Sequence, residues 1–332
     1  MTSDPGTLGG ATQPALRTAT GTLTVVVLTY RRPHLLAVAL PELLDQLSEL
    51  DAASGIESDL LVIDNDPDES ARELVTSVPS TRVRYLTEKR RGIAAARNRA
   101  LDETADRDLI VFIDDDERAR PGWLVRLTET YIDTRPTAVM GRVISDYPDG
   151  ADPWVVAGDF LRRPSHRTGD TLAIAATNNL LLDRAAVRGL GLRFDETLGL
   201  SGGEDNLFTR QLVRRGGRIV WCDEAVLDDE WPTERLQRRW LLHRSFSHGN
   251  TAAIVDALME PPGARRAAVR VRRAAGGAGR VVLGLGRWAV GSVTGDLRHR
   301  ARGQRGVYRG CGMVSGAIGR VYQEYARREQ TT

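Results

Sequence analysis

Short apolar runs alternate with longer stretches of helical period along the first third of the chain. Leu23–Leu28, Asp59–Ile63, Val83–Leu86 and Leu109–Ile113 have strand length and are rich in Val, Ile and Leu. Runs of that kind predict strands buried on both faces of a parallel sheet. Between them, residues 34–50 place Leu35, Leu36, Leu40, Leu43, Leu44 and Leu47 at helical spacing, with Pro41 as a potential kink. Residues 69–77 and the Ala-rich stretch 92–105 predict two more helices. Strand–helix alternation with short connections predicts an α/β fold with helices on both faces of the sheet.

The pattern continues less regularly. A helix is expected over 121–131, a strand over 138–145, a loop over 146–170 and apolar segments at 172–176 and 180–182. A helix from Ser201-Gly202-Gly203-Glu204-Asp205 to Val213, a strand over 218–221 and a helix over 235–250 follow. Residues 1–22, rich in Thr, Gly and Pro, read as a disordered leader.

Composition changes this picture little. Of 332 residues 41% are apolar and 27% charged, as in ordinary globular chains. Cys222 and Cys311 are too few for a disulfide scaffold or a Cys-based zinc site, and Cys222 reads as a small buried apolar residue. No run of eighteen apolar residues predicts a membrane span, and no basic-then-apolar start predicts a signal peptide, so a cytoplasmic protein is expected. Charge is uneven along the chain. Residues 263–332 hold fifteen Arg against Asp296, Glu324 and Glu329, a net +12 in a chain of net +2. Helices are expected there around 265–275 and 317–328, with apolar patches at 281–285 and 288–290. An Arg-rich segment with an apolar face suits the inner surface of an anionic membrane. A helical extension packed on the catalytic domain and an oligomer contact are the alternatives. No nucleic-acid motif accompanies the basic residues.

The chemistry sits in the strand-end loops. Polar or acidic loops follow three predicted strands: Thr29-Tyr30-Arg31, Asp64-Asn65-Asp66 and Asp114-Asp115-Asp116. Ligands of open α/β sheets bind at those ends. Three consecutive Asp repel one another unless water reaches them or a cation is shared, and hard oxygens suit Mg2+ or Mn2+ completed by substrate phosphates. Glu204 and Asp205 at a helix start are either caps that complement the helix dipole or a site with a general base.

Taken in order, Val25–Arg31, Val62–Asn65, Arg91–Asn98, Phe112–Asp116 and Gly203-Glu204-Asp205 resemble the family-2 inverting glycosyltransferases. The nearest branch is the bacterial one typified by succinoglycan-type glucosyltransferases. The resemblance implies the A-type glycosyltransferase fold, a Rossmann-like nucleotide-binding mixed sheet flanked by helices. It implies a catalytic domain over 23–250, with a nucleotide-binding half to 117 and an acceptor-binding half from 118, and a basic helical extension over 251–332. It further implies that Thr29, Tyr30 and Arg31 line the base pocket of a UDP-sugar and that Asp64 accepts from the uracil. Arg91 would lie near the nucleotide, with Asn98 bracing the site. Asp114 or Asp115 would hold the ribose and Asp116 the divalent ion, Mg2+ or Mn2+. Asp205 would be the general base, with Glu204 and Gly203 beside it.

Softer positions are Asn178 and Asn179, as donor-sugar contacts or a plain turn, and Trp231 and Trp154, as acceptor-stacking or core residues. His243, five positions before His248, is a late metal contact or a structural histidine. The processive relatives' Gln-x-x-Arg-Trp motif is broken, because Leu236 stands where Gln belongs before Arg239-Trp240. That favours adding one sugar to a hydroxyl of a lipid-linked saccharide or a secondary metabolite. The rival readings are a sugar-phosphate nucleotidyltransferase and a catalytically silent nucleotide-sugar-binding protein.

Overall fold

The computed structural model describes residues 20–323. Strand β1 (Thr20–Thr29) leads into α1 (Pro33–Ala53), β2 (Gly55–Asp64), α2 (Arg72–Thr76), β3 (Val83–Thr87), α3 (Ile93–Glu103) and β4 (Leu109–Asp114). The expected alternation is present, and α1 runs unbroken through Pro41. Residues 20–22, assigned above to the leader, belong to β1; residues 1–19 lie outside the described residues.

After β4 come β5 (Glu117–Ala119), α4 (Trp123–Thr134), β6 (Ala138–Ile144), α5 (Pro153–Gly158), β7 (Thr171–Leu172), β8 (Leu180–Asp183), α6 (Arg184–Gly189), α7 (Glu204–Arg214) and β9 (Ile219–Asp229). Here local pattern falls short. The loop expected over 146–170 contains α5, started by Asp152, whose carboxylate accepts from the Trp154 amide at 2.9 Å. The strand expected over 218–221 extends through Asp229, because its second half pairs with β6 beyond a register shift at Gly141 and Arg142 and then with β5.

The strands form one mixed sheet in the order β3-β2-β1-β4-β8-β6-β9-β5, with β7 on β9. The first four are mutually parallel, and β8 runs antiparallel to β4 and β6. Val25, Val27, Val62, Val111 and Ile113 pack on the α1 and α4 side; Val26, Leu61, Ile63, Ile110 and Phe112 pack on the α3 and α7 side. The chain reverses direction across the sheet at β1, and register sets Thr29 opposite Asp64 and Leu28 opposite Asp114. The three polar loops therefore emerge side by side, at the kind of switch point where such sheets bind ligands.

The carboxyl-terminal part is entirely helical up to residue 317. Helix α8 (Arg238–Leu258) is followed by α9 (Ala264–Thr294) and α10 (Leu297–Ala317). Two short helices separated by apolar patches were expected; instead α9 is one helix of 31 residues that includes both patches. Gly276-Gly277-Ala278-Gly279 lies within this helix. At Gly277 the α10 backbone approaches so closely that a Cβ would meet the Gly310 carbonyl at 2.8 Å. Tertiary packing overrides glycine's weak helix preference. The second helix was expected over 317–328, but α10 ends at Ala317, and residues 324–332 lie outside the described residues. The 250/251 boundary falls inside α8, which packs with α10.

Asn179 joins the two halves of the sheet. It is fully buried with φ at 65°, accepts from Trp123 Nε1 at 2.7 Å, and donates to the Arg142 and Ala225 carbonyls at 2.8 and 2.9 Å. An alanine there strands a buried donor and two carbonyls and disfavours the left-handed backbone. Asn179→Ala should cost about 3 kcal/mol in urea unfolding; a loss below about 1 kcal/mol would show that other groups take over these bonds.

Candidate active site

The loops after β1, β2 and β4 open onto a cavity of about 1200 Å³, counting the open space at its mouth. One wall carries Thr29, Tyr30 and Arg32; the floor carries Asp114, Asp115, Asp116 and Glu117; Asn65, Arg91, Gly92 and Gly199 close one side. Arg163, Asn178, Asp229, Trp231, Arg235, Trp240 and Arg244 close the other.

The acids are held by a network of guanidinium and hydroxyl donors. Thr29 Oγ1 donates to Asp115 at 2.8 Å. Arg32 reaches Asp115 at 3.0 Å and Asp116 Oδ2 at 3.3 Å, and Arg235 reaches the same Asp116 oxygen at 2.9 Å. Asn178 donates to Glu117 at 2.6 Å, and Glu117 in turn accepts from the Asp114 amide at 3.2 Å. Asp229 accepts from Ser145, Trp231 Nε1 and Arg163. Burial pushes the Asp114 carboxyl up to about 6 against the pull of Arg97, with Asp116 and Asp115 adding to the rise. Burial and then Asp114 push Glu117 well above the usual carboxylate range. Burial thus holds Asp114 and Glu117 toward their neutral forms, beside the ion-paired Asp115 and Asp116.

Asn65 sets the roof. It donates to the Glu88 and Arg90 carbonyls at 2.9 and 2.8 Å and accepts from the Gly92 amide at 2.9 Å, which fixes the loop bearing Arg91. Gly92 has φ at 120°, and a Cβ on it would meet the Gly199 backbone at 3.2 Å. Only glycine fits where the start of α3 touches the 199–203 loop.

Of the residues singled out from sequence, Thr29, Tyr30, Arg91, Asp114, Asp115, Asp116, Asn178 and Trp231 line this cavity. Others stand behind it. Asp64 is fully buried and accepts from the Asp66 and Ala71 amides and from the Tyr85 hydroxyl, each at 2.9 Å. It shapes the turn after β2 and leaves Asn65 to face the cavity. Arg31 turns outward to Asp66 and Asp68 and lies over the Tyr30 ring. Asn98 ties α3 to the Phe194 backbone, donating at 3.0 Å and accepting at 2.9 Å. Trp154 packs on Phe160 in a core cluster, and Cys222 is buried. His243 meets Tyr308 across α8 and α10, and neither it nor His248 lines the cavity.

Glu204 and Asp205 lie beyond the 199–203 loop. Gly203, with φ at 92°, precedes α7, and a Cβ on it would strike Thr251. Glu204 is buried against Arg97, while Asp205 is partly exposed and accepts from the Asn206 amide at 2.6 Å. Burial pushes Glu204 up to about 7, against the pull of Arg97. Arg97 acts on Asp114 as well, so one buried guanidinium stands between the cavity floor and the start of α7.

Sequence reading missed Arg32, Asn65, Glu117, Arg163, Asp229, Arg235, Trp240 and Arg244 as lining residues. Glu117 was discoverable as the fourth acid of a continuous run. Arg163, Asp229 and Arg235 come from distant segments with no local signal.

With this geometry in view, comparison with known proteins is decisive. The family described as Glycosyl transferase family 2 matches residues 24–191, half of the chain. The succinoglycan biosynthesis protein ExoM of Rhizobium meliloti is 35% identical over 228 residues, which is 68% of this chain and 72% of that protein. The chain belongs to glycosyl transferase family 2. This membership separates it from the sugar-phosphate nucleotidyltransferase reading. A glucosyl-dolichyl phosphate glucuronosyltransferase of Haloferax volcanii is 25% identical over 53% of this chain and 59% of its own length. Two solved structures share the fold. Mannosyltransferase PcManGT of Pyrobaculum calidifontis, in complex with GDP-Man and Mn2+, has a TM-score of 0.59 at 16% identity, covering 92% of this chain and 89% of its own. S. aureus TarS 1–349 with UDP-GlcNAc has a TM-score of 0.51 at 14% identity, covering 75% and 70%. The fold is that of the A-type glycosyltransferases.

Arg97 is the test of the buried charge network. Arg97→Met leaves Glu204 and Asp114 without their shared cation and should cost about 3–5 kcal/mol at pH 8.5. The Glu204 carboxyl, already raised to about 7, rises further once Arg97 is gone. The folded variant then binds a proton at a higher pH than the wild type does, so the loss shrinks as pH falls from the variant's raised value toward about 7 and stays small below it. Urea midpoints at pH 8.5 and 5.5 measure this; an equal loss at both would deny the coupling.

Proposed function

We propose that the protein is an inverting, metal-dependent glycosyltransferase that moves one sugar from a UDP-sugar to a hydroxyl acceptor. The observation that carries this reading is the cavity at the ends of β1 and β4, where Asp114–Glu117 face a set of arginines. Family membership supports a nucleotide-sugar donor, and the structures of like fold were solved with UDP-GlcNAc and GDP-Man. Thr29 and Tyr30 would line the base, Asp114 or Asp115 the ribose, and Arg91, Arg32 and Arg235 the diphosphate.

The residues fit a divalent cation. The floor presents consecutive carboxylates, and both ion pairs of Asp116 fall on Oδ2, which leaves Oδ1 as a hard oxygen ligand. Among the described residues no three His, Cys, Asp or Glu side chains converge on one ion position, so donor phosphates would complete the shell. A bound Mg2+ or Mn2+ supplies positive charge to offset the negative charge growing on the departing diphosphate.

The chain's own groups do the rest. Asp205 takes the proton of the acceptor hydroxyl as that oxygen bonds to the anomeric carbon, and the bond from that carbon to the diphosphate breaks on the opposite face. One displacement inverts the configuration and needs no covalent intermediate. The 199–203 loop forms the cavity wall on one side and leads into the helix of Asp205 on the other; its rearrangement on acceptor binding would bring the carboxylate to bear. The acceptor is proposed to be a lipid-linked saccharide. One relative is named for acting on a glucosyl-dolichyl phosphate, and Trp231 and Trp240 offer two rings 5.6 Å apart at the cavity wall.

Donor binding and turnover should separate on mutation. Asp205→Asn should keep UDP-sugar affinity within about 2-fold while turnover falls by about 10³-fold. Asp116→Ala should remove the Mn2+ dependence of donor affinity. Calorimetry with and without chelator, and product mass, measure both. Unchanged turnover in Asp205→Asn would move the base elsewhere, chelator-insensitive wild-type binding would remove the metal, and donor binding without turnover would make the protein a silent binder.

A further inference from the structure

The orientation of α9 is fixed by its glycines. Gly277, Gly284 and Gly291, seven apart, are the buried residues of α9. A Cβ on each would meet α10 backbone atoms, at 2.8 Å for the Gly310 carbonyl oxygen, 2.8 Å for the Val307 amide and 2.5 Å for the Arg300 amide. This seam brings the two helices backbone to backbone and points the opposite face away from the protein. That face is apolar. Val271, Ala275, Ala278, Val282, Ala289 and Val293 recur at spacings of three and four or their sum, which is one stripe of an α-helix. Val282 is 68% exposed, Val293 89%, and Leu283, at the edge of the stripe, 76%.

A soluble helix turns its apolar stripe inward; α9 turns it outward. Arginines frame the stripe: Arg265, Arg272, Arg280 and Arg287 follow one edge at intervals of seven or eight. Residues 263–323 carry thirteen Arg and the single acid Asp296. That charge opposes pairing with a second copy, because a two-fold interface would set arginine edge against arginine edge. It equally favours a surface that is apolar beneath and anionic above. None of the described helices is long and apolar enough to cross a membrane. A long helix with one apolar and one Arg-rich face lies in the plane of a bilayer instead.

We propose that α9 is an in-plane anchor that docks the protein on an anionic phospholipid bilayer, Val282 and Val293 entering the acyl boundary and Arg272 and Arg287 pairing with lipid phosphates. The placement bears on the reaction. At the end where α9 turns into α10, Ala301 packs with Trp154, Leu241 and Leu242, and Trp231 and Trp240 of the cavity wall pack against that cluster. The anchor would therefore hold the site near the membrane surface, where a lipid-linked acceptor resides. The anchoring itself rests on no part of the glycosyl-transfer reading.

Co-sedimentation of the full chain with vesicles tests it. Wild type should bind phosphatidylglycerol–phosphatidylcholine vesicles at least about 10-fold more tightly than pure phosphatidylcholine, and less tightly as salt rises. Val282→Asp with Val293→Asp, and separately Arg272→Glu with Arg287→Glu, should each weaken that binding by about 10-fold or more with unchanged thermal unfolding. Wild type left in the supernatant, equal binding to both vesicles, or binding indifferent to both variant pairs would overturn the proposal. So would a wild-type dimer in analytical ultracentrifugation that the valine variant converts to monomer, which would give the stripe to a second copy.

Discussion

Four consecutive acids at the end of a buried strand cannot stand unless cations are brought to them, and the structure is organised around doing so. Arg32 from the loop after β1 and Arg235 from the segment after β9 pair with Asp115 and Asp116, and Arg97 of α3, paired with Glu204, pulls on Asp114. Three regions distant in sequence converge because Asp114–Glu117 demand charge. The balance is incomplete: Asp114 and Glu117 are both pushed toward their protonated forms. In the proposed reaction a divalent ion would take over these carboxylates and free arginines for the diphosphate.

Around that charged centre, close backbone contacts fix the frame. Gly92 against Gly199 locks the roof, Gly203 against Thr251 fixes the start of α7, and the glycine seam joins α9 to α10. Each contact trades side-chain volume for a defined position. Between the first two lies the short 199–203 loop, which separates the acidic floor from Asp205. A rigid frame with one short intervening segment confines any rearrangement to that segment.

The sequence was most informative where short-range chemistry decides. Valine-rich strands between Leu-rich helices gave the parallel half of the sheet, and polar loops at adjacent strand ends gave the cavity wall at Thr29 and its floor at Asp114–Asp116. The Asp64 assignment went astray because a carboxylate beside a turn serves its own backbone first, leaving the neighbouring Asn65 to face the ligand space. Asp229 and Arg235 were invisible because only the pairing of β9 with β6 and β5 brings them to the site, and Arg163 reaches it from the segment after α5 by pairing with Asp229. The helix expected over 265–275 stopped far short of α9, because the contact of Gly277, Gly284 and Gly291 with the α10 backbone that carries the helix on has no local signal.

The proposed reaction depends on a divalent ion taking over the acidic floor while its arginines turn to the nucleotide diphosphate. A crystal structure of the protein with UDP and Mn2+ tests this most directly. UDP is expected in the cavity between Tyr30 and Asp114–Asp116, with Arg235 moved from Asp116 to the phosphates. UDP bound elsewhere, with the Arg235–Asp116 pair intact, would contradict it.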